Sequence, residues 1–243
     1  MIPSLRSPNM KKGKQIYEGK AKILYETDEP DLLIQYFKDD ATAFNAQKKG
    51  TVHDKGIMNN KISTKIFEFL QAQGIPTHFV KYLSDREMLV KRVQIVQVEV
   101  VLRNRAAGSL CRLLGLPEGL VLKMPILEFC YKRDDLGDPL INEYHIKALG
   151  LANESEIAKI SEYTMKINDL MSRFFKNLNL ELIDFKLEFG RYKGEIILAD
   201  EISPDTCRLW EIGTGKKLDK DRFRHDLGNI EEAYQEVLSR VTK

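Results

Sequence analysis

The clearest chemical pattern in the sequence is an alternation of apolar and charged residues over residues 182–190. Because successive side chains of a strand point to opposite faces, Asp184, Lys186 and Glu188 would share one face and the apolar residues the other. A second strand that ends at Asp200 would complete a hairpin. The pattern predicts a core face and a charged face, and an ordinary strand with a solvated polar face is the alternative.

The register of this hairpin decides which carboxylates meet. In the simplest register, residues 190–194 form the loop and Asp184 lies opposite Asp200. Like charges opposite each other destabilise a strand pair unless a cation lies between them, and oxygen ligands suit Mg²⁺. The same register separates Glu188 from Asp200 by roughly 13 Å along the strand. These two residues could therefore share an ion only if the hairpin bends or bulges.

Lysines that could hold phosphate groups lie in earlier, strand-like segments. Lys20 and Lys22 would share one strand face beside Gly19, and Lys91 ends an apolar strand. Kinases use a lysine on such a strand to hold nucleotide phosphates. The sequence contains neither GxxxxGK[ST] nor GxGxxG, so a solvated basic strand explains the first two lysines equally well.

The segment from Glu99 to Ser109 could also bind a phosphate. Arg103 would end a strand shortly before a helix begins at Ser109, and an arginine, a hydroxyl and helix-start amides suit a phosphate group. Arg208 and Arg224 follow the acidic hairpin and could form the wall of an anionic-substrate site. A charged strand end, with Ser109 as a plain N-cap, is the alternative.

The composition excludes several classes of protein. The 243 residues are 43% hydrophobic and 30% charged, which is ordinary for a folded globular chain. Thirty-eight basic residues against 36 acidic ones leave a net charge of +2, which disfavours nucleic acid and membrane partners. Three cysteines without CxxC and four histidines without HExxH give no transition-metal pattern. Since no apolar run approaches the roughly 18 residues of a spanning helix, a cytoplasmic protein is expected.

The elements that must position these groups fall into two predicted lobes. A loosely ordered leader (1–13) would precede a β-rich N-terminal lobe (14–95) and a mixed C-terminal lobe (96–243). The predicted strands are 16–25, 32–37, 78–83, 88–93, 97–103 and the 182–201 hairpin, and the predicted helices are 57–70, 109–114, 156–178 and 229–241. Clustered rather than alternating strands predict an α+β fold with a cleft between lobes, where nucleotides commonly bind.

Five motifs together resemble the SAICAR synthetase family. They are Tyr17-Glu-Gly-Lys-Ala-Lys22, Lys55-Gly-Ile-Met-Asn-Asn60, Glu99-Val-Val-Leu-Arg-Asn-Arg-Ala-Ala-Gly-Ser109, Asp184-Phe-Lys-Leu-Glu-Phe-Gly190 and Asp200-Glu-Ile-Ser-Pro-Asp205. The resemblance runs from about Lys14 to the last predicted helix. It implies a two-lobed fold related to the ATP-grasp and lipid-kinase folds, with ATP bound between the lobes.

The resemblance also implies a reaction and its residues. The reaction joins the carboxylate of carboxyaminoimidazole ribonucleotide to the amine of L-aspartate, converts ATP to ADP and phosphate, and belongs to purine biosynthesis. The implied ATP contacts are Gly19, Lys20, Ala21, Lys22 and Lys91, and the implied Mg²⁺ ligands are Glu188 and Asp200. The implied ribonucleotide contacts are Arg103, Ser109 and Arg208 at the phosphate, Glu99, Asp184 and Lys186 at the imidazole and carboxylate, and Arg224.

Two of these residues are candidates for catalysis. An acyl phosphate would make the carboxylate electrophilic, and Asp184 is the candidate acceptor of the amine's proton, beside Lys186. A carboxylate opposite another could equally be a ligand of a second metal ion. A small-molecule kinase is the first alternative, but Asp184-Phe-Lys186 stands where a kinase has DFG, and no HRD-type loop is present. A non-catalytic nucleotide or RNA module is the second. The sequence leaves a homo-oligomer open.

Overall fold

The computed structural model describes residues 10–43 and 48–243. Residues 1–9 of the predicted leader lie outside the described residues, and residues 10–13 have no regular secondary structure. The strands are β1 (Gln15–Glu18), β2 (Lys22–Glu26), β3 (Leu32–Phe37), β4 (Asp40–Ala43), β5 (Lys48–Thr51), β6 (Phe79–Ser84), β7 (Glu87–Lys91), β8 (Gln94–Arg105), β9 (Val121–Tyr131), β10 (Leu140–Ile141), β11 (Leu180–Tyr192), β12 (Glu195–Ala199) and β13 (Cys207–Glu211). The helices are α1 (Lys55–Ala72), α2 (Ser109–Leu114), α3 (Glu143–Ala148), α4 (Glu154–Asn177), α5 (Asp221–Arg224) and α6 (Ile230–Val241).

Two antiparallel sheets form the frame of the molecule. The first has the order β1-β2-β3-β7-β6, the second has the order β10-β9-β8-β11-β12 with β13 also paired to β11, and β4 and β5 form a small ribbon. A parallel bridge between Thr77 and Leu198 joins the first sheet to the second. The expected mixture of helices and clustered strands is confirmed. None of the described helices is long and apolar enough to cross a membrane.

The predicted strand over residues 16–25 is wrong, because a turn divides it. Gly19 N donates to the carbonyl oxygen of Lys22 at 2.8 Å, and β1 then runs antiparallel to β2. Lys20 therefore lies in the turn, while Lys22 begins the second strand. The two lysines do not share one strand face.

The predicted register of the acidic hairpin is also wrong. β11 continues to Tyr192, and only Lys193 and Gly194, with φ of 51° and 86°, form the turn. A two-residue turn with positive φ at both positions matches the twist of the flanking strands. Glu188 consequently pairs with Ala199, one residue before Asp200.

Asp184 lies far from the position predicted for it. Its neighbours across the sheet are Arg103 on β8 and Arg208 on β13, so it does not face Asp200. Glu188 instead lies one residue along the strand pair from Asp200, whereas the predicted register had separated these two residues.

The apolar face of β11 is buried as predicted. Phe185, Leu187 and Phe189 are each at most 1% exposed and belong to a core that takes residues from both sheets. Helix α4 packs on this side, and its predicted capping box is present. Asn153 Oδ1 accepts from Glu156 N at 3.0 Å, and Glu156 Oε2 accepts from Asn153 N at 2.9 Å.

The charged face of β11 is not solvated either. Asp184 and Glu188 are only 3% and 5% exposed. Removing carboxylates from water is costly unless cations or donors hold them. The alternative interpretation, an ordinary strand with a solvated polar face, is therefore wrong. The charged face must be part of a polar site.

Candidate active site

A cleft of about 860 Å³ opens between the two sheets. Every site residue proposed from the sequence lines it: Gly19, Lys20, Ala21, Lys22, Lys91, Glu99, Arg103, Ser109, Asp184, Lys186, Glu188, Asp200, Arg208 and Arg224. The charged faces of β8 and β11 form its floor, and the turn between β1 and β2 lies at its other side. Residues that are far apart in the sequence thus form one polar site.

Two arginines and a carboxylate form one end of the cleft. Asp184 Oδ2 accepts from Arg103 Nη1 at 3.0 Å and from Arg208 Nη1 at 2.7 Å. Arg103 Nη2 also donates to Ser109 Oγ at 2.9 Å. Paired guanidinium groups beside a hydroxyl provide the fixed donors that a phosphate group requires.

Asp221 holds this end of the cleft from behind. Its Oδ2 accepts from Arg208 Nε at 2.8 Å, and its Oδ1 accepts from Arg224 Nη1 at 2.6 Å. Burial opposes its charge, but Arg208 and Arg224 lower the pKa of Asp221 to about 2. Burial likewise opposes the charge of Arg208, whereas Asp184 and Asp221 raise the pKa of that arginine. Asp221 therefore holds both arginines in place.

A network of lysine and glutamate occupies the middle of the cleft. Lys186 Nζ lies 2.8 Å from both Glu99 Oε1 and Glu188 Oε1, and Lys132 Nζ lies 2.9 Å from Glu188 Oε1. Burial raises the pKa of Glu99. Burial has the same tendency at Glu188, but Lys186 and Lys132 reverse it and hold the pKa of Glu188 well below its usual range. One glutamate is thus firmly ionised while its neighbour is less so.

Asp200 and Lys22 mark the opposite end. Lys22 Nζ forms ion pairs with Asp200 and, at 2.9 Å, with Glu201 Oε1. Burial raises the pKa of Asp200, and the nearby charge of Glu188 acts in the same direction. Two close carboxylates of which one resists ionisation form a place where an additional cation would be stabilised.

The carboxylates of Glu188 and Asp200 fit Mg²⁺. Within residues 10–43 and 48–243, no group of three or more acidic, histidine or cysteine side chains could by itself hold a metal ion. Magnesium does not require such a cage, because it commonly takes one or two carboxylates and completes its shell with water and phosphate oxygens. In the observed register Glu188 pairs with Ala199, the residue before Asp200, and both Glu188 and Asp200 line the cleft.

The remaining predicted phosphate contacts lie at the edge of the cleft. Lys20 Nζ is 2.7 Å from Asp134 Oδ1 in an exposed pair. Lys91 Nζ donates to the carbonyl oxygen of Thr77 at 2.9 Å, and burial lowers the pKa of Lys91. Lys22 and Lys91 thus approach the cleft from the first sheet, whereas Lys20 lies at its rim.

Three charged residues of the cleft were not predicted from the sequence. Lys132 and Glu201 complete the ion pairs just described, and Lys220 lines the cleft beside Asp205. The Lys220 and Asp205 side chains are 3.9 Å apart, the one ion pair of Lys220 among the described residues. Glu201 lies within a quoted motif and could have been found there. Lys132 and Lys220 belong to polar segments without a recognisable motif, so no local sequence pattern predicts their role.

Comparisons with known proteins identify the family of this chain. The family model described as SAICAR synthetase matches residues 15–241. Phosphoribosylaminoimidazole-succinocarboxamide synthase of Caldanaerobacter subterraneus subsp. tengcongensis is 59% identical over 232 residues, which cover 96% of this chain and 99% of the relative. The corresponding enzyme of Fusobacterium nucleatum subsp. nucleatum is 58% identical, with 96% and 99% covered.

Solved structures show the same fold. The crystal structure of phosphoribosylaminoimidazole-succinocarboxamide synthase from Ehrlichia chaffeensis superposes with a TM-score of 0.93 at 47% identity, covering 94% of this chain and 98% of the other. A SAICAR synthetase in complex with ADP gives a TM-score of 0.91 at 47% identity, covering 94% and 97%. With a family match over nearly the whole chain and relatives of this similarity, the protein belongs to the SAICAR synthetase family.

Proposed function

We propose that this protein joins the carboxylate of carboxyaminoimidazole ribonucleotide to the amine of L-aspartate and converts ATP to ADP and phosphate. The proposal rests mainly on the difference between the two ends of the cleft. The guanidinium groups of Arg103 and Arg208 lie at one end, and Glu188 and Asp200 lie toward the other. A ribonucleotide anchored at the first end would present its carboxylate to a nucleotide at the second.

The arginine end suits the phosphate of the ribonucleotide. Its oxygens would accept from Arg103, Arg208 and Ser109, with Arg224 beside them. Arg103 and Arg208 are already held by Asp184 and Asp221, so binding would cost little side-chain entropy. Glu99 and Lys186 would then lie next to the imidazole and its carboxylate.

ATP would lie between the two sheets. Lys22 and Lys91 would contact its phosphates, and the turn formed by Gly19, Lys20 and Ala21 would cover them. The SAICAR synthetase that was solved in complex with ADP supports nucleotide binding by a protein of this fold. In this arrangement, residues 14–95 and residues 96–243 would form two lobes with ATP between them. Nucleotides would bind in the same way in the related ATP-grasp and lipid-kinase folds.

Magnesium would be held by Glu188 and Asp200. When bound, it supplies positive charge to the phosphate oxygens and orients them. The lysines perform a related task from the protein side: Lys22 neutralises Asp200 and Glu201, and Lys132 neutralises Glu188. The cleft would thus keep a balanced charge around a strongly anionic nucleotide.

The chemistry proceeds in two steps. A carboxylate is a poor electrophile, so its oxygen first attacks the γ-phosphorus of ATP, and the bond to the β-phosphate oxygen breaks to give an acyl phosphate and ADP. The aspartate amine then attacks the acyl carbon, phosphate leaves, and the amine loses a proton. Lys186 orients the carboxylate for both steps, since it lies between Glu99 and Glu188.

Asp184 is the proposed proton acceptor. Its Oδ2 is already held by two guanidinium groups, Arg103 and Arg208. The proton would therefore go to Oδ1, for which no hydrogen bond exists among the described residues. For this role the aspartate amine would approach the acyl carbon from the side of the cleft on which Asp184 lies.

Lys220 is the proposed contact for a carboxylate of L-aspartate. Lys22, Lys132 and Lys186 each form at least one ion pair with a glutamate that is shorter than 3 Å. Lys220 instead lies 3.9 Å from its acidic neighbour Asp205. Its ammonium group can therefore accept a new anionic partner without losing a short one.

The test is ADP release with each component omitted in turn. Enzyme, Mg-ATP, carboxyaminoimidazole ribonucleotide and aspartate together should give equal amounts of ADP, phosphate and succinocarboxamide product. ADP release at an undiminished rate without aspartate would favour the small-molecule kinase. Transfer of ¹⁸O from a labelled substrate carboxylate to phosphate would support the acyl phosphate, and its absence would exclude that intermediate. A cytoplasmic location and a homo-oligomer remain predictions.

A further inference from the structure

Asp219 is a buried aspartate behind the arginine end of the cleft. The residue is 0% exposed and is not among the described residues that line the cleft. Burial and the nearby charge of Asp221 raise the pKa of Asp219 to about 7, so an ionised carboxylate at this position costs free energy. Because no substrate in the cleft can touch Asp219, its contacts with the protein must account for this charge.

The two oxygens of the Asp219 carboxylate hold two different elements. Oδ2 accepts from Leu209 N on β13 at 3.0 Å, and Oδ1 accepts from Asp221 N at the start of α5 at 2.7 Å. Leu209 directly follows Arg208, and Asp221 accepts from Arg208 Nε. A single carboxylate therefore connects the strand that carries Arg208 to the helix that carries its partner.

On the strand side, the Asp219 side chain acts in place of a backbone acceptor. Leu218 N donates to the carbonyl oxygen of Leu209 at 2.9 Å, which places this segment along β13. The chain then turns into α5, and Leu209 N is satisfied by the carboxylate of Asp219. Since a buried backbone amide needs a partner, this bond fixes β13 directly beside Arg208.

On the helix side, Asp219 supports an element that is too short to be stable by itself. Helix α5 has four residues, and isolated helices of this length do not form in water. Asp219 contacts its first turn twice, because Oδ1 accepts from Asp221 N and the backbone carbonyl oxygen accepts from Arg222 N at 3.1 Å. Aspartate is a favoured cap at the start of a helix. The positions of Asp221 and Arg224 therefore depend on Asp219.

We propose that Asp219 is a positioning residue for the phosphate site, because it fixes Arg208 and Asp221 relative to each other. The proposal rests on the proposed function, in which Arg208 holds the phosphate of the ribonucleotide. Asp219 acts through the ion pairs of Asp221 with Arg208 and Arg224, and it touches no substrate. Without it, Arg208 would lose its alignment with the phosphate.

Two effects of removing this carboxylate have opposite signs, and this difference makes the proposal testable. Asp219 and Arg208 attract each other, since each shifts the pKa of the other toward its charged form. If Asp219 contributed only its charge, its removal would leave the arginine end more positive and would strengthen phosphate binding. If Asp219 positions Arg208, its removal weakens phosphate binding.

The experiment is steady-state kinetics of Asp219→Asn in the full chain, with each substrate varied in turn. Asparagine has the same shape but only one acceptor oxygen, so one of the two backbone amides must lose its partner. The KM for the ribonucleotide should rise about tenfold or more, as expected when a hydrogen bond to a charged group is lost. The KM for ATP should not change. A wild-type or lowered KM for the ribonucleotide would overturn the proposal.

Asp219→Ser and Glu211→Gln are the matched variants. Serine can cap α5, but its single oxygen on a shorter side chain leaves Leu209 N without a partner, so Asp219→Ser should raise the same KM. Glu211 lies on β13 as well, and it pairs with Arg240 outside the residues that line the cleft. Glu211→Gln should keep the wild-type KM. An equal rise in Glu211→Gln would mean that any weakening of β13 disturbs the site, which contradicts a specific role of Asp219.

A purely structural role would give a different result. Lower stability reduces the amount of folded enzyme and the apparent kcat, but it leaves the KM of the folded fraction unchanged. Thermal melting followed by circular dichroism shows how much of each variant is folded at the assay temperature. If neither Asp219 variant folds, or if both fold with the wild-type KM, Asp219 only supports the fold and the proposal is overturned. If wild type releases no ADP with all three substrates, the proposed function itself fails, which is a separate result.

Discussion

Gly108 lies against the guanidinium group of Arg208, so that a methyl group on Gly108 would overlap it and come within 2.8 Å of Arg208 Cζ. We predict that Gly108→Ala displaces Arg208 from Asp184 and weakens the phosphate site. The KM for the ribonucleotide should rise about tenfold or more, as expected when a charged hydrogen bond is lost. The KM for ATP should change little. Steady-state kinetics with each substrate varied in turn measures both values.

Gly115→Ala is the control for this change. Gly108 and Gly115 both have positive φ, 56° and 64°, so alanine strains the chain at either position, and more so at Gly108, where ψ is −124° instead of 29°. A methyl group on Gly115 would meet nothing within 4 Å. Gly115→Ala should therefore lose a little stability and keep the wild-type KM. Equal kinetic effects of the two variants would mean that strain, and not Arg208, is responsible.

Glu188 and Asp200 are predicted to bind magnesium together, because Glu188 pairs with Ala199, the residue before Asp200, and both residues line the cleft. Glu188→Gln and Asp200→Asn should each lower kcat by about 100-fold, the usual effect of removing one charge-stabilising group. Each variant should also need a higher Mg²⁺ concentration for half-maximal activity. Activity at fixed ATP over a magnesium series gives this value.

Glu195→Gln tests the same hairpin without touching the site. Glu195 begins β12 and is exposed, so its neutralisation should leave both kcat and the magnesium requirement unchanged. If Glu188→Gln shows the wild-type magnesium requirement with only a lower kcat, Glu188 acts through Lys186 or Lys132 and not through the metal.

Much of the fold near the site could be predicted from the sequence, but the hairpin register could not. The alternation on β11 and the α4 capping box are local patterns, and both are confirmed. Gly190 suggested the start of a loop, yet it lies inside β11. Glycine is needed there because a Cβ would come within 2.7 Å of Val93 Cβ. The turn in the structure has Lys193 at the position where such turns usually have asparagine or aspartate.

The site was predictable where its residues belong to long motifs. Arg103 and Ser109 belong to one such motif and lie together in the structure. Lys132 and Lys220 were missed because their importance depends on contacts with residues far away in the sequence, Glu188 and Asp205. Pairing over such distances is a property of the fold, and a single sequence does not display it.

Lys55 and Asp205 form a buried ion pair that should dominate the stability of the region behind the site. Lys55 is fully buried and lies 2.5 Å from Asp205, which also accepts from Tyr234 at 2.6 Å and from Asn59 at 3.0 Å. Asp205→Leu leaves Lys55 buried without its partner, and we expect a loss of about 3–5 kcal/mol in the free energy of unfolding. Lys55→Met should cost less, because other donors still hold Asp205. Urea unfolding of both variants tests this order.

The same pair predicts an acid sensitivity. Burial opposes the charge of Asp205, but Lys220 and Lys55 hold its pKa well below the usual range. Its contribution to stability is therefore fully present above about pH 4, the ordinary value for aspartate, and disappears as the pH falls through the lowered pKa. The wild type should lose stability more steeply than Asp205→Leu on acidification. Parallel curves for the two proteins would show that Asp205 is not responsible.

Lys220 is predicted to hold aspartate, and its titration gives a way to detect the contact. Lys220→Met should raise the KM for aspartate by about 10- to 100-fold, the range expected when a hydrogen bond to a charged group is lost. The control Lys216→Met, at a site whose side chain is 49% exposed, should leave the KM for aspartate unchanged.

Burial lowers the pKa of Lys220, so its charge is lost at a lower pH than that of an ordinary lysine. Aspartate binding by wild type should weaken correspondingly early as the pH rises, whereas Lys220→Arg, which stays protonated, should retain it. The ratio of the two KM values at each pH cancels the titration of aspartate itself, and a ratio that stays constant would exclude Lys220 as the contact.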